Sequence, residues 1–275
     1  MHRYLCKRSS KMPVALAFIR QKSPLEYSGY MYYSITTISS NNQTKRKFLL
    51  MTRERILTFK RFYLGKPVLQ FTTQKIGLDE NILFKICQVY DQMFARHRRV
   101  YAMRFDMRLP AGIDTSDNSA FRSFMAYFMQ VERRCGYDPE YCAVREESEN
   151  KGVHYHILLL LDGDKTRKSF YHIELANRIF NRKFGYPLRK YTGMINDCTQ
   201  DEYGRKHPNG YLIDRDDYYT RESHENASFR QASYLAKAAQ KNPEKRMREL
   251  FSSRLRYLND LALGGYMNCA TMGRK

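Results

Sequence analysis

The stretch Val153-His154-Tyr155-His156-Ile157-Leu158-Leu159-Leu160-Leu161 is the most informative part of this sequence. It is apolar enough to be a central strand of a β-sheet. Alternation along such a strand places His154 and His156 on one face, about 7 Å apart at roughly 3.3 Å per residue, and Tyr155 on the other. Two imidazoles at this spacing suit a single metal ion, although two ordinary polar histidines would give the same pattern.

The segment before this strand supplies a carboxylate. Residues 141–146 are typical of a second strand and the polar residues 147–152 of a turn, so the two strands are expected to pair antiparallel. This pairing would bring Glu146 or Glu147 close to the histidines. Two histidines and one carboxylate fit Mg²⁺ or Mn²⁺ held beside a phosphate, and equally Zn²⁺. The alternative for Glu146 is a surface charge paired with Arg145.

The segments on either side predict a mixed fold. Apolar residues alternate with polar ones over 100–109, which indicates a half-buried strand. Helical spacing of apolar residues predicts helices from Asp79 to the basic residues 96–99, over 119–135 and over 169–184. The order strand, helix, strand, strand, helix predicts an α+β fold, in which an antiparallel sheet carries helices on one face and leaves the other open for a substrate.

The connection formed by residues 185–226 is long and rich in Gly, Asn, Asp and Tyr. We expect it to be mostly loop, with one strand at 210–213. Loops of this length in a folded domain are usually functional or disordered, so this segment is a candidate contact with the substrate.

The C-terminal part carries a tyrosine and two lysines at helical spacing. Residues 227–240 and 244–263 are typical of helices. Tyr234 and Lys237 are three residues apart and would share a face, with Lys241 one further turn along. A tyrosine hydroxyl so placed could attack phosphorus while an ammonium group lowers its pKa and balances phosphate charge. The Tyr-x-x-Lys spacing also occurs elsewhere in the chain, as at Tyr4 and Tyr63, and is weak evidence by itself.

The charge of the chain indicates a polyanionic partner. The 275 residues carry 48 lysines and arginines against 28 carboxylates, a formal net charge of +20. Residues 1–60 have 12 basic and 2 acidic side chains, and residues 226–275 have 10 and 3, so both ends are strongly basic. Nucleic acid is the expected partner, with basic and aromatic side chains neutralising phosphates and stacking on bases.

Other sequence features narrow the class of protein. The six cysteines show no Cys-x-x-Cys pair, which fits a reducing cytoplasm. No apolar run approaches the roughly 20 residues needed to span a bilayer, so we expect a soluble protein without a membrane partner. The chain lacks the glycine-rich loop that binds nucleotide phosphates, so no nucleotide cofactor is expected.

Taken in this order along a basic chain, these elements resemble the HUH endonucleases, the rolling-circle replication initiators and relaxases. More narrowly, the blocks Arg145-Glu146, 154–163 and Ala232-Ser233-Tyr234-Leu235-Ala236-Lys237 are similar to the YagK/YfjJ C-terminal-domain family of prophage proteins, also called inovirus-type replication proteins. The resemblance covers about residues 78–260. Two departures are the bulky Tyr155 between the histidines and the absence of a second tyrosine beside Tyr234, which indicates the single-tyrosine type.

The resemblance implies a role for each motif residue. These are metal ligation by His154, His156 and Glu146, nucleophilic attack by Tyr234, and assistance by Lys237. Arg145 and Lys241 are candidate DNA contacts. Residues 76–275 would form an HUH-like replication-initiator domain, preceded by a basic region over 1–75 whose fold and role the sequence does not indicate.

The implied reaction is a transesterification on single-stranded or hairpin DNA in the cytoplasm of a bacterial host. A bound Mg²⁺ or Mn²⁺ would polarise the phosphate, the tyrosine would attack it, and a 5′-phosphotyrosyl DNA would form. Host replication proteins are further candidate partners. One alternative is a non-catalytic prophage DNA-binding or regulatory protein on the same scaffold. Another is a zinc hydrolase or cupin-like enzyme with a small substrate, which would not need the basic termini.

Overall fold

The computed structural model describes most of the chain from residue 55 onward. The described ranges are 55–71, 74–148, 152–188, 190, 192–200, 204–239 and 247–254. The expectations for residues 1–54 and for Lys241 lie outside the described residues. The predicted boundary at residue 75 stays a prediction.

Strands and helices follow one another along the described chain. In order they are β1 (Leu57–Thr58), β2 (Phe62–Tyr63), β3 (Lys66–Pro67), β4 (Leu78–Asp79), α1 (Glu80–Phe94), β5 (Arg99–Arg108), α2 (Ser119–Arg134), β6 (Glu140–Ser148), β7 (Gly152–Asp162), α3 (Phe170–Phe184), β8 (Ile195–Asp197), β9 (Tyr211–Asp214), α4 (Arg221–Ala232), a 3₁₀ helix (Ser233–Ala236) and β10 (Leu250–Ser252). None of these helices has the length and apolar character of a membrane span.

In the part of the chain that the structure describes, the main sheet has six strands, and all of its pairings are antiparallel. Its order is β10-β6-β7-β5-β8, and β9 also pairs with β5, farther along that strand. The stretch quoted at the start of the sequence analysis is β7, which lies in the middle and is buried over all but its two end residues. A strand covered on both faces needs this continuous apolar sequence.

Two hydrophobic cores lie on opposite faces of the sheet. On one face, Met103 and Phe105 of β5 pack with α2 and α3. On the other face, Ala102 of β5 packs with α1, α4 and the 3₁₀ helix. The mixed α+β class with an antiparallel sheet is confirmed, and helices cover both faces rather than one. The second layer was missed because α1 and α4 lie far apart in sequence and meet only in the folded chain.

The helix predicted over 227–240 is shorter than expected. Helix α4 ends at Ala232, and Tyr234 lies in the 3₁₀ helix that follows. The hydroxyl of Ser233 donates to the carbonyl of Arg230 at 2.7 Å and accepts from the amide of Leu69 at 2.9 Å. Lys237 then leaves the helical conformation and bridges to Leu78 of β4. These contacts replace the backbone bonds that would have continued the α-helix.

The helix predicted over 244–263 is wrong in its described part. Residues Leu250–Ser252 form the edge strand β10, which pairs with Cys142–Val144 of β6. Phe251 is buried against Phe121 and Tyr155 in the first core. The predicted long connection over 185–226 contains two strands, β8 and β9, instead of one.

Candidate metal centre and tyrosine site

The register of the sheet brings three predicted ligands together. On β7, His154 and His156 lie on the same face, as the alternation predicts. On β6, Glu146 is directly opposite His154, and Val144 is opposite His156. Glu147 pairs instead with Val153 and belongs to the other face, which leaves Glu146 as the carboxylate of this cluster.

The three side chains form a compact donor set. The Oε2 atom of Glu146 lies 3.2 Å from Nε2 of His156 and 3.7 Å from Nε2 of His154. One ligand atom from each residue lies within 4.8 Å of the other two, and all three residues are buried. Nδ1 of His154 is 3.0 Å from the carbonyl of Gly152, and a proton donated there leaves Nε2 free to bind a cation. The cluster could therefore hold a divalent metal ion.

Asp106 of β5 supports this cluster from the neighbouring strand. It is directly opposite His156, and its Oδ1 accepts a hydrogen bond from Nδ1 of His156 at 2.7 Å. Burial would raise the pKa of Asp106, but the charges of His156 and Arg104 outweigh this and lower it to about 2. A carboxylate on the far nitrogen of a histidine is the usual support of a metal ligand.

The electrostatics of His156 also favour a cation. Burial lowers the pKa of His156, but Asp106 and Glu146 act against burial and the net shift is upward. The same two carboxylates would stabilise a metal ion in place of the proton.

Tyr234 packs directly on this cluster. Its ring centroid lies 5.0 Å from that of His156, with the ring planes 80° apart. The guanidinium carbon of Arg104 lies 4.6 Å from the centre of the Tyr234 ring. Burial and the nearby charge of Glu146 raise the pKa of Tyr234 to about 12, although Arg104 acts in the opposite direction. The phenol is therefore neutral at physiological pH.

Lys237 also lies close to Tyr234. Its ammonium nitrogen is 5.6 Å from the centre of the Tyr234 ring and 4.9 Å from that of Phe71. The structure thus brings together five of the predicted residues: Glu146, His154, His156, Tyr234 and Lys237. They come from the hairpin of β6 and β7, and from the 3₁₀ helix and the residue that follows it, about 80 positions later in the chain.

The model of the YagK/YfjJ C-terminal domain family matches residues 60–253. The chain belongs to this family. The match includes every residue of the cluster and Tyr234, and it begins earlier than the resemblance noted from the motifs. No curated protein and no solved structure matches this YagK/YfjJ family member.

Arg145, the predicted DNA contact, lies away from the cluster. It is directly opposite Tyr155, so its side chain is on the other face of the sheet from Glu146. It is buried, with Nη2 3.3 Å from the carbonyl of Thr115 and 3.5 Å from a carboxylate oxygen of Glu147. The structure therefore does not place Arg145 on the side of the sheet that carries Tyr234, His154 and His156.

Arg104 and Asp106 were missed as site residues. Alternation over 100–109 marks them only as the polar side of a half-buried strand. In the structure both are within the site: Arg104 spans from Tyr234 to Asp106, with Nη2 3.5 Å from the aspartate, and Nη1 donates to the carbonyl of Gln231 at 3.1 Å. The available signal was the placement of two opposite charges two residues apart on the polar side of this strand.

A cavity of about 280 Å³ opens beside the histidines. Its lining includes Asp106 of β5, His154 and His156 of β7, and Met194 and Asn196 at strand β8. The cavity borders both predicted histidine ligands, so a small anionic group bound in it would lie next to the candidate metal position.

Proposed function

We propose that this YagK/YfjJ family protein is a metal-dependent transesterase that nicks and rejoins single-stranded or hairpin DNA, as HUH endonucleases do in rolling-circle replication. The observation that carries this proposal is the packing of Tyr234 on His156. His156 belongs to the cluster that it forms with Glu146 and His154. A nucleophile candidate and a metal-binding set side by side are what phosphoryl transfer to a side chain requires.

The chemistry assigned to the protein is an exchange of one phosphoester for another. The hydroxyl of Tyr234 loses its proton and attacks phosphorus, an oxygen–phosphorus bond forms, and the bond to the 3′ oxygen breaks. The leaving 3′ oxygen takes up a proton as a hydroxyl, and the 5′ phosphate remains on the tyrosine. Attack by a 3′ hydroxyl reverses the step, so the strand is rejoined without ATP.

The donor set fits the ion that this chemistry uses. Two imidazole nitrogens and one carboxylate oxygen accept Mn²⁺, Mg²⁺ or Zn²⁺. When bound, such an ion supplies Lewis-acid polarisation of a non-bridging phosphate oxygen. Glu146, His154 and His156 would hold it, and Asp106 fixes the orientation of the His156 ring.

Two cations reduce the cost of forming a phenolate at Tyr234. Its pKa of about 12 means that the proton must be removed against burial and nearby carboxylates. Arg104 lies over the ring, and the ammonium nitrogen of Lys237 lies 5.6 Å from its centre. Their positive charges favour the developing negative charge on the phenol oxygen.

A covalent-adduct assay tests the proposal. Purified protein is incubated with Mn²⁺ and labelled single-stranded and hairpin DNA, including replication-origin sequences of its own genetic element, and protein-linked fragments are scored on a denaturing gel. We expect an adduct that is lost in Tyr234→Phe and in the double variant His154→Ala/His156→Ala. Tyr218→Phe is the matched control, because Tyr218 is 94% exposed and its loss should leave the adduct intact.

The same assay can also contradict the proposal that the protein nicks DNA. If none of these DNAs yields an adduct although wild type and variants bind them equally and with strong salt dependence, the protein is a non-catalytic DNA-binding protein. Adduct formation that survives in Tyr234→Phe would instead show that another residue is the nucleophile.

A further inference from the structure

Arg108 is an exposed cation at the end of β5. It is the last residue of this strand, and it lies on the same face as Arg104 and Asp106 because alternate residues of a strand share a face. Arg104 is buried, and its Nη1 donates to a backbone carbonyl within the site. Arg108, in contrast, is exposed, so a ligand can reach its guanidinium group from solvent.

The pairing of β5 with β7 places Arg108 next to the candidate metal centre. Arg108 is directly opposite His154 on β7, and Glu146 is directly opposite the same histidine on β6. The three residues therefore form one row across the sheet, with the histidine in the middle. Directly opposite residues have Cβ atoms about 4.5–5.5 Å apart, so Arg108 is an immediate neighbour of a candidate metal ligand.

The cavity beside the histidines extends to Arg108. Its lining includes Arg108 together with Asp106, His154 and His156. Its volume of about 280 Å³ is just below the roughly 300–1,000 Å³ of pockets that hold drug-sized ligands, so it suits a small group such as one phosphate. A group bound in this cavity would contact Arg108 and lie beside both histidines.

No carboxylate neutralises Arg108 within the described part of the chain. Asp106, the acidic residue nearest to it on β5, is bound instead to Nδ1 of His156 at 2.7 Å and to Arg104 at 3.5 Å. Glu146 lies with its Oε2 atom 3.2 Å from Nε2 of His156. Since a guanidinium group keeps its charge at any physiological pH, Arg108 offers an unneutralised positive charge to an anion in the cavity.

We propose that Arg108 is a ligand of the scissile phosphate, which it binds in the cavity next to the position for the metal ion. This inference rests on the proposed function, since it assigns a protein ligand to the phosphate of the same substrate. A guanidinium group donates two parallel hydrogen bonds to the oxygens of one phosphate, which fixes the orientation of the phosphate and balances its charge. Arg108 thereby holds the group that Tyr234 attacks.

Salt-dependent DNA binding by the full-length protein tests this role without requiring catalysis. All variants are made in the Tyr234→Phe background, so that the probe, a fluorescein-labelled oligothymidylate, stays intact. Anisotropy gives its affinity at a fixed Mn²⁺ concentration and several salt concentrations. In Arg108→Gln we expect the slope of log affinity against log salt to fall by about 0.7, the contribution of one phosphate contact in a single strand. Arg108→Lys keeps the charge and should retain the slope.

Arg178→Gln is the matched control for general charge. Arg178 is exposed on α3, and this helix packs on the face of the sheet opposite the histidines. We expect this variant to keep the slope of the parent protein. Both arginines are exposed, so neither substitution should lower the unfolding temperature, and thermal unfolding checks that the variants are folded.

A combined variant tests whether Arg108 and the metal centre hold the same phosphate. The losses of affinity in Arg108→Gln and in His154→Ala/His156→Ala should add to less than their sum when the substitutions are combined, because each removes a contact with one shared group. Additive losses would place Arg108 on a different phosphate and overturn the proposal. An unchanged slope in Arg108→Gln, or an equal loss in Arg178→Gln, would overturn it as well.

The nicking proposal can fail independently of this one. The covalent-adduct assay with wild type reports on nicking, whereas the salt slopes and the combined variant report on phosphate binding by Arg108. If wild type forms no adduct but the slope falls in Arg108→Gln alone and the losses are not additive, nicking is contradicted and Arg108 remains a phosphate ligand at the metal centre.

Discussion

Individual side chains of β5 link the two halves of the candidate site. Asp106 holds His156, and Arg104 lies over Tyr234, so one strand contacts both a candidate metal ligand and the candidate nucleophile. The histidines and the tyrosine were predicted from sequence, because rare residue types at fixed spacings carry a chemical meaning. Arg104 and Asp106 were not, because their roles depend on which residues of β7 and of the 3₁₀ helix lie opposite them.

Removing the carboxylate behind His156 should weaken metal binding. In Asp106→Asn the amide accepts the imidazole proton less strongly, and we expect the affinity for Mn²⁺ or Zn²⁺ to fall by about 10- to 100-fold. Isothermal titration calorimetry measures this directly. Asp216→Asn is the control, because this carboxylate is exposed and pairs with Arg98 away from the cluster. Equal affinities for Asp106→Asn and wild type would show that Asp106 does not support the metal ligand.

Replacing the cation over the tyrosine ring should affect the reaction and not metal binding. In Arg104→Met we expect the rate of adduct formation to fall by about 10- to 100-fold, equivalent to about 1.4–2.8 kcal/mol of lost stabilisation. Arg104→Lys keeps the charge and should recover part of the rate. Metal titration and thermal unfolding of each variant separate this effect from loss of the fold. A wild-type rate in Arg104→Met would exclude the guanidinium from the reaction.

Whole elements were predicted well where a regular hydrophobic pattern extends over many residues. They were predicted less well where a few contacts determine the local structure. The strands β5, β6 and β7 and the helices α1, α2 and α3 were predicted to within a few residues, because each buries a regular face. Strand β10 was mistaken for a helix, since a three-residue edge strand has too short a period to recognise. The end of α4 depends on contacts of Ser233 and Lys237 with residues about 160 positions earlier in the chain.

The packing of α1 on α4 gives a pH dependence to stability. Burial and the charge of Glu225 on α4 raise the pKa of Asp91 on α1 to about 7. Since the folded-state pKa lies above that of the unfolded chain, the neutral form is favoured by folding, and stability is lost as the pH rises from about 4 through 7. Asp91→Asn removes this loss, and we expect it to be more stable than wild type by about 1–2 kcal/mol at pH 8, after allowance for partial exposure.

Thermal unfolding of both proteins between pH 4 and pH 8 checks this. The difference between Asp91→Asn and wild type should be near its minimum at pH 4 and grow towards pH 8. A difference that does not change with pH would mean that Asp91 titrates as an ordinary exposed carboxylate.

At the scale of the whole molecule, metal binding should stabilise the fold, because the ligands come from two paired strands at the centre of the sheet. A metal that binds only the folded state, present at 100 times its dissociation constant, adds about 2.7 kcal/mol. We therefore expect Mn²⁺ or Zn²⁺ to raise the unfolding temperature of wild type. The double variant His154→Ala/His156→Ala should show no such rise, and an equal rise in both would place the bound metal elsewhere.

The position of Arg104 and Asp106 on alternate residues of β5 makes the candidate site depend on how the sheet is assembled. A slip of one residue in the pairing of β5 with β7 would turn both side chains to the opposite face and put Phe105 against the histidines. A chain folded in the wrong register would then lack both the hydrogen bond between Asp106 and His156 and the contact of Arg104 with the Tyr234 ring. In the proposed nicking reaction, reactivity toward DNA would therefore require the correct register of β5 on β7.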